Sequence, residues 1–243
     1  MAGINKLLIL LLISISGKTF GQISAGKIVF ERKTNLEKKF KDSPMRGPMM
    51  KDLQTTKSKT DMFELYFTDT CSIFKPIISD EADPLSWATS KNTVYQNANT
   101  GENLIILNLM GQEIFVSDSL SKRAWKVTDN KRTISKYECR KAIWQKNDST
   151  RIYAWFTDAI VPSVGPEGFS GLPGTILGLA TEDGGIIYFA KSVEIIDPKP
   201  EVFNINTKKK KMYTYKELKT KLEEEYGNTP WGKRLFSDLF RWL

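Results

Sequence analysis

Residues 22–207 are expected to form a mainly β domain, an antiparallel meander of about nine strands, with a basic helical segment at 208–243. Three observations predict this. Apolar and polar residues alternate along successive short segments, and turn residues interrupt them at roughly ten-residue intervals. A helical period emerges only beyond the lysine run at 208–211.

GKIVFERKT reads as the first strand, with Ile28 and Phe30 on one face. Residues 36–59 change character: they are basic, Met-rich and broken by prolines, and are expected to form a long mobile loop. Met45, Met49 and Met50 within it serve as adaptable apolar contacts, with soft Cu(I) ligation as the alternative. In DMFELYFTDTCSIF the residues Phe63, Leu65, Phe67, Cys71 and Ile73 share one face, which places Cys71 inward. TVYQNA, ENLIILNL and QEIFVSD follow, with hairpin turns at Thr100-Gly101 and Met110-Gly111. RAWKVTD, TISKYECRKAIWQK and STRIYAWFTDAI come next, separated by turns around Asn130 and Asn147. The run from Thr175 to Ile196 folds back at Asp183-Gly184-Gly185. Beyond it, Thr214 and Glu217 form a capping box for a helix that Gly227 stops. A second helix starts at Thr229, and its apolar stripe of Trp231, Leu235, Phe236, Leu239, Phe240 and Trp242 packs on the sheet. The alternative for that stripe is peripheral contact with a membrane surface.

The chain has 243 residues and a net charge of +8. It opens with Lys6, an apolar run from Leu7 to Ile15, and small residues at Thr19 and Gly21, the layout of a secretory signal peptide cleaved after Gly21. Export to the periplasm or the outer-membrane periphery is therefore expected, with no transmembrane segment. The excess charge sits largely in Lys208–Lys211, so nucleic acid is not an expected partner. Histidine is absent, which removes Ser-His-Asp and Cys-His catalysis and most zinc sites. No metal or cofactor is expected. Cys71 and Cys139 are the two cysteines, open to a disulfide or to two separate thiols.

GPEGFSGLPGTILGL, Gly165 to Leu179, is the most constrained stretch. It lacks the Gly-Lys-Ser/Thr ending of a phosphate loop and leads into a strand rather than a helix. Leu172-Pro173-Gly174-Thr175 suits a type II turn, and Gly165-Pro166-Glu167-Gly168 a second turn, with Gly171 between them. Phe169 and Leu172 are apolar anchors, and together with Trp155 they are the candidate pocket wall.

Tyr137–Ala142, Tyr153–Thr157, Gly165-Pro166 and Phe169–Leu177 resemble, in order and spacing, the GLPGLI family of exported envelope proteins. Thr175 stands where the family name implies Leu, and Ile160-Val161-Pro162 replaces an expected Ile-Pro. The resemblance brings no catalytic residues. At fold level it implies likeness to periplasmic lipoprotein carriers, with the sheet curved into an open half-barrel around an apolar cavity.

Two functions are expected from this reading. One is a non-catalytic module binding a lipid, an acyl chain or an apolar protein segment. The other is an accessory interaction protein for an outer-membrane receptor or surface assembly. A third, an enzyme, would have to use Asp158 and Glu167 as carboxylates or Cys139 as nucleophile.

Overall fold

The computed structural model describes residues 22–41, 56–79, 81–109, 111–147, 150–229 and 232–242. The protein is mainly β, built on one large open sheet. Two meanders meet at its centre. The first comprises β1 (Gly26–Asn35), β2 (Ser58–Phe67), β3 (Cys71–Pro76), β4 (Thr93–Asn97), β5 (Glu102–Leu109) and β6 (Gln112–Ser119). The second comprises β7 (Trp125–Ile134), β8 (Tyr137–Asn147), β9 (Thr150–Thr157), β10 (Thr175–Thr181) and β11 (Ile186–Glu194). A two-residue β12 (Met212–Tyr213) pairs parallel with β6. The strand order is β12-β6-β5-β4-β3-β2-β1-β11-β10-β9-β8-β7, and every pair except β12·β6 is antiparallel.

The order has a geometric consequence. Residues 120–124 alone connect β6 to β7, which stand ten strands apart. Five residues reach about 20 Å, whereas ten flat strand spacings would measure about 48 Å. The sheet must therefore bend across its width. Its inward side carries the core: Ile28, Phe30, Phe63, Leu65, Phe74, Leu107, Ala154, Phe156, Leu179 and Tyr188 are all essentially inaccessible.

Twelve strands exceed the nine expected in part because one segment breaks into β2 and β3 where the alternation looked continuous, and because β12 forms beyond the lysine run. Thr68–Thr70 turns the chain between β2 and β3, with the Thr68 hydroxyl accepting from the Cys71 amide at 3.0 Å. Cys71 is consequently half-buried beside the Tyr95 hydroxyl rather than deep inside. Asn130 does not turn the chain either. β7 runs through it with a bulge between Val127 and Lys131, and the hairpin closes at Ser135-Lys136, both at positive φ. The Ser135 hydroxyl anchors that tip to the Ala190 carbonyl at 2.7 Å.

Within the segment 36–59, Leu36–Phe40 forms α1, capped by Asn35, and Ser58 begins β2. Met45, Met49 and Met50 lie outside the described residues. At the other end α2 (Tyr215–Tyr226) carries the expected capping box, and α3 spans Gly232–Leu239. Leu218, Leu222, Leu239, Phe240 and Trp242 join the same core as the strands, so the C-terminal segment packs on the sheet. No described helix is long and apolar enough to cross a membrane.

Candidate functional site

The inward face of β1 reads Gly26, Ile28, Phe30, Arg32, Thr34, and that of β2 reads Lys59, Asp61, Phe63, Leu65, Phe67. Alternation thus carries charge onto the buried face at one end of the sheet. Arg32 and Asp61 are register partners, and Arg32 Nη2 donates to Asp61 Oδ2 at 2.7 Å. Lys59 bonds Asp61 at 2.8 Å and Asp83 at 2.5 Å, and the Thr89 hydroxyl donates to Asp61 at 2.8 Å. Burial alone would raise the Asp61 carboxyl, but Arg32, Lys59 and Thr89 outweigh it and hold it down at about 2. Burial likewise opposes the Arg32 charge, yet the groups around it raise its pKa. The guanidinium also lies over the Phe63 ring, 4.7 Å from its centroid.

The glycine-rich loop lies over this end of the sheet and fills its interior. Phe169 is wholly buried among the rings of Trp125, Trp144 and Trp242, with centroids 5.8–6.0 Å away. The loop backbone is satisfied by side chains: Gln96 donates to the Gly168 carbonyl and Trp125 to the Ser170 carbonyl, both at 2.9 Å. The corner at Pro173 is tighter than a type II turn. The Gly174 amide donates to the Leu172 carbonyl at 2.8 Å, while the Thr175 amide is taken by Ile160 at 3.0 Å to start β10. Gly174 has φ +131°. Glu167 is left-handed without being glycine (φ 54°) and is buried. Its Oε1 accepts from the Tyr188 hydroxyl at 2.5 Å, and Asn92 Nδ2 lies 3.4 Å from Oε2.

Two cavities adjoin this cluster. An open cleft of about 580 Å³ is walled by Trp87, Leu109 and Leu239 on its apolar side and by Lys39, Lys91, Asn108 and Asp238 on its polar side. Beneath it, sharing Lys39, Thr89, Ser90 and Asp238, a void of about 20 Å³ touches Arg32, Thr34, Asn92 and Glu167. Arg32 Nε, Thr34 Oγ1 and Asn92 Oδ1 are buried there without hydrogen-bond partners among the described residues. A void of that size accommodates one water. Among the described residues no cluster of acidic or cysteine side chains is arranged to hold a metal.

Phe169 and Leu172 are buried in the core, and Trp155 is partly buried against it. Trp155 is half-buried on the opposite side of β9 from Phe156, flanked by Arg132 and Lys141. Gly165 is extended, and an added Cβ would meet Ile176 Cβ at 2.7 Å, so this glycine permits close packing. Pro166 opens a single 3₁₀ turn over 166–168, and Gly171, at φ +91°, donates to the Ser163 hydroxyl at 2.7 Å. Cys71 and Cys139 are free thiols on β3 and β8, with five strands between them. Burial pushes the Cys139 thiol up to about 11, which makes it a poor nucleophile. Asp158 is exposed on the surface while Glu167 is buried, so the two carboxylates do not form a pair. Sequence reasoning missed Arg32, Thr34, Lys59 and Asp61, although they continue the parity of Ile28, Phe30 and Phe63. Asn92 and Tyr188 carry no sequence signal of their own.

The architecture so described is a single bent sheet whose interior is filled by a glycine-rich loop beside an ionic cluster. Residues 145–178, from the end of β8 through the loop into β10, match a family model described as "Protein of unknown function (Porph_ging)". No curated protein matches the sequence. Among solved structures the chain is similar to PNGF-II in two crystal forms. The C2 form has a TM-score of 0.52 and 17% identity over 82% of this chain, and the P21 form has 0.53 and 16% over 81%. The chain spans 32% of PNGF-II in both, and at this identity the likeness is one of fold.

Proposed function

We propose that the protein is an exported, non-catalytic binding module of the cell envelope, an open half-barrel that takes a lipid-like ligand with an anionic head. The interior is filled by Phe169, Leu172, Phe240 and Trp242, so the ligand occupies the cleft outside it. One observation carries the reading. Trp87, a large aromatic left 54% exposed, shares that cleft with Leu109, Leu239 and the ammonium groups of Lys39 and Lys91. Among the described residues Lys91 makes only long contacts, with Asp61 at 3.6 Å and Asp83 at 4.0 Å, and it can turn to an anionic group.

Titration of the purified full chain with a fluorescent fatty acid tests this. Trp87→Ala and Lys91→Glu are expected to weaken uptake by about tenfold or more, while Trp155→Ala leaves it unchanged. No uptake, or equal uptake by all four proteins, would overturn it. Export is tested by fractionation and N-terminal sequencing, with Gln22 expected first in the envelope fraction and an uncleaved cytoplasmic chain refuting it.

A second reading, an accessory interaction protein for an outer-membrane receptor or surface assembly, is favoured by the exposed basic run Lys208–Lys211. Crosslinking that traps one dominant membrane protein, and is lost when these lysines become glutamates, supports it over ligand binding.

A further inference from the structure

Glu167 is enclosed, and its carboxyl has few donors. Arg32 Nη1 approaches no closer than 4.0 Å, beyond hydrogen-bond range. The guanidinium ends are committed elsewhere, to the Ser90 carbonyl at 2.6 Å and Asp61 at 2.7 Å. The neighbouring buried cations already have anions, Arg32 with Asp61 and Lys59 with Asp83. An ionised Glu167 would be held by two neutral donors, one of them at 3.4 Å, with the Arg32 charge beyond hydrogen-bond range at 4.0 Å.

Asn92 supplies an independent observation. It is 5% exposed, and its carbonyl Oδ1 lacks a partner while its amide nitrogen sits at that stretched contact. The two ends of a carboxamide have the same shape, so their assignment follows from the hydrogen bonds they can make. Exchanging them sets Asn92 Oδ1 against Glu167 Oε2. Two oxygens bond only with a proton between them.

We propose that Glu167 is a proton-binding site: it is the neutral carboxylic acid at neutral pH, its Oε2–H donating to Asn92 Oδ1 while Oε1 accepts from Tyr188. Docking of the loop on the sheet then takes up one proton from solvent. Burial pushes the Glu167 carboxyl above its usual value, against the pull of Arg32, Tyr188 and Asn92. The facing groups are Arg32 on β1, Tyr188 on β11 and Asn92 ahead of β4, with Lys39, Asp238 and Arg241 lining the void beyond. Asp238 pairs with Lys39 at 2.9 Å and Arg241 at 3.3 Å, which offsets one of their two charges.

In the unfolded chain this carboxyl ionises near 4.5. Its contribution to stability is complete below that value and is lost as pH rises toward the raised folded value. The experiment uses the full chain carrying ¹³C-carboxyl glutamate. Infrared spectra at neutral pH are expected to show a carboxylic-acid carbonyl band that Glu167→Gln abolishes. That variant keeps both contacts, its Nε2 donating to Asn92 and its oxygen accepting from Tyr188. Relative to the variant, the wild-type unfolding constant should rise by up to about tenfold per pH unit above 4.5. Absence of the acid band, or parallel pH profiles for the two proteins, would overturn the assignment. Should Glu167→Gln fail to fold, the wild-type band decides alone.

Discussion

Replacing Gly174 by Ala tests whether the Pro173 corner is a rigid launch point for β10. A β-carbon there would lie 2.0 Å from the Thr157 carbonyl oxygen and 3.0 Å from Asp158 Cα, all backbone. The φ of +131° lies beyond the left-handed helical well, a region that costs an L-residue about 1–3 kcal/mol. Relieving the clash means displacing Thr157, the register partner of Thr175 in the β9·β10 pair. Strain and displaced pairing together come to roughly 3–5 kcal/mol. At a urea slope of about 2 kcal/mol/M, the midpoint should fall by about 2 M. Gly101→Ala is the control, because its φ is +74° but nothing lies within 4 Å of the added carbon. It should cost about 1 kcal/mol, from strain alone. Equal losses in the two variants would show that the corner yields and that close approach plays no part.

Three further outcomes are expected. Phe169→Ala opens a void between Trp125, Trp144 and Trp242 and should cost about 3–5 kcal/mol by urea unfolding, with loss of near-ultraviolet circular dichroism from those rings. Asp61→Asn leaves Arg32 buried without its carboxylate and should cost about 3–5 kcal/mol at neutral pH. Because the Asp61 carboxyl is depressed, wild-type stability should also fall as pH drops from 3.8 toward 2, and the variant should lack that decline. Thr214→Ala removes the capping box of α2 and should cost about 1 kcal/mol, seen as faster amide exchange over 215–226.

Much of the architecture is legible in residue order because it is local. The two-residue period of Ile28, Phe30, Phe63 and Leu65 marks strands with one buried face, and Thr214, Glu217 and Gly227 mark the ends of α2. Breaks made by side-chain bonds are harder to read: the Thr68 hydroxyl turns a chain whose hydrophobic alternation runs straight through. The candidate site is half legible. Parity places Arg32 and Asp61 inward, but whether an inward charge is matched depends on the facing strand, and only the register shows that they stand opposite. Glu167 reads only as a turn residue and candidate carboxylate, since nothing local reveals that its loop lies inside the sheet.

The chain alone determines strands, caps and the need for glycine at a tight corner, because each follows from steric preferences spanning a few residues. The tertiary structure decides what those elements enclose. The β1·β11 pairing joins residues more than 150 positions apart, and it brings Tyr188 to Arg32 and Glu167. Such meetings depend on how a bent sheet closes over its own loop, a property of the whole chain.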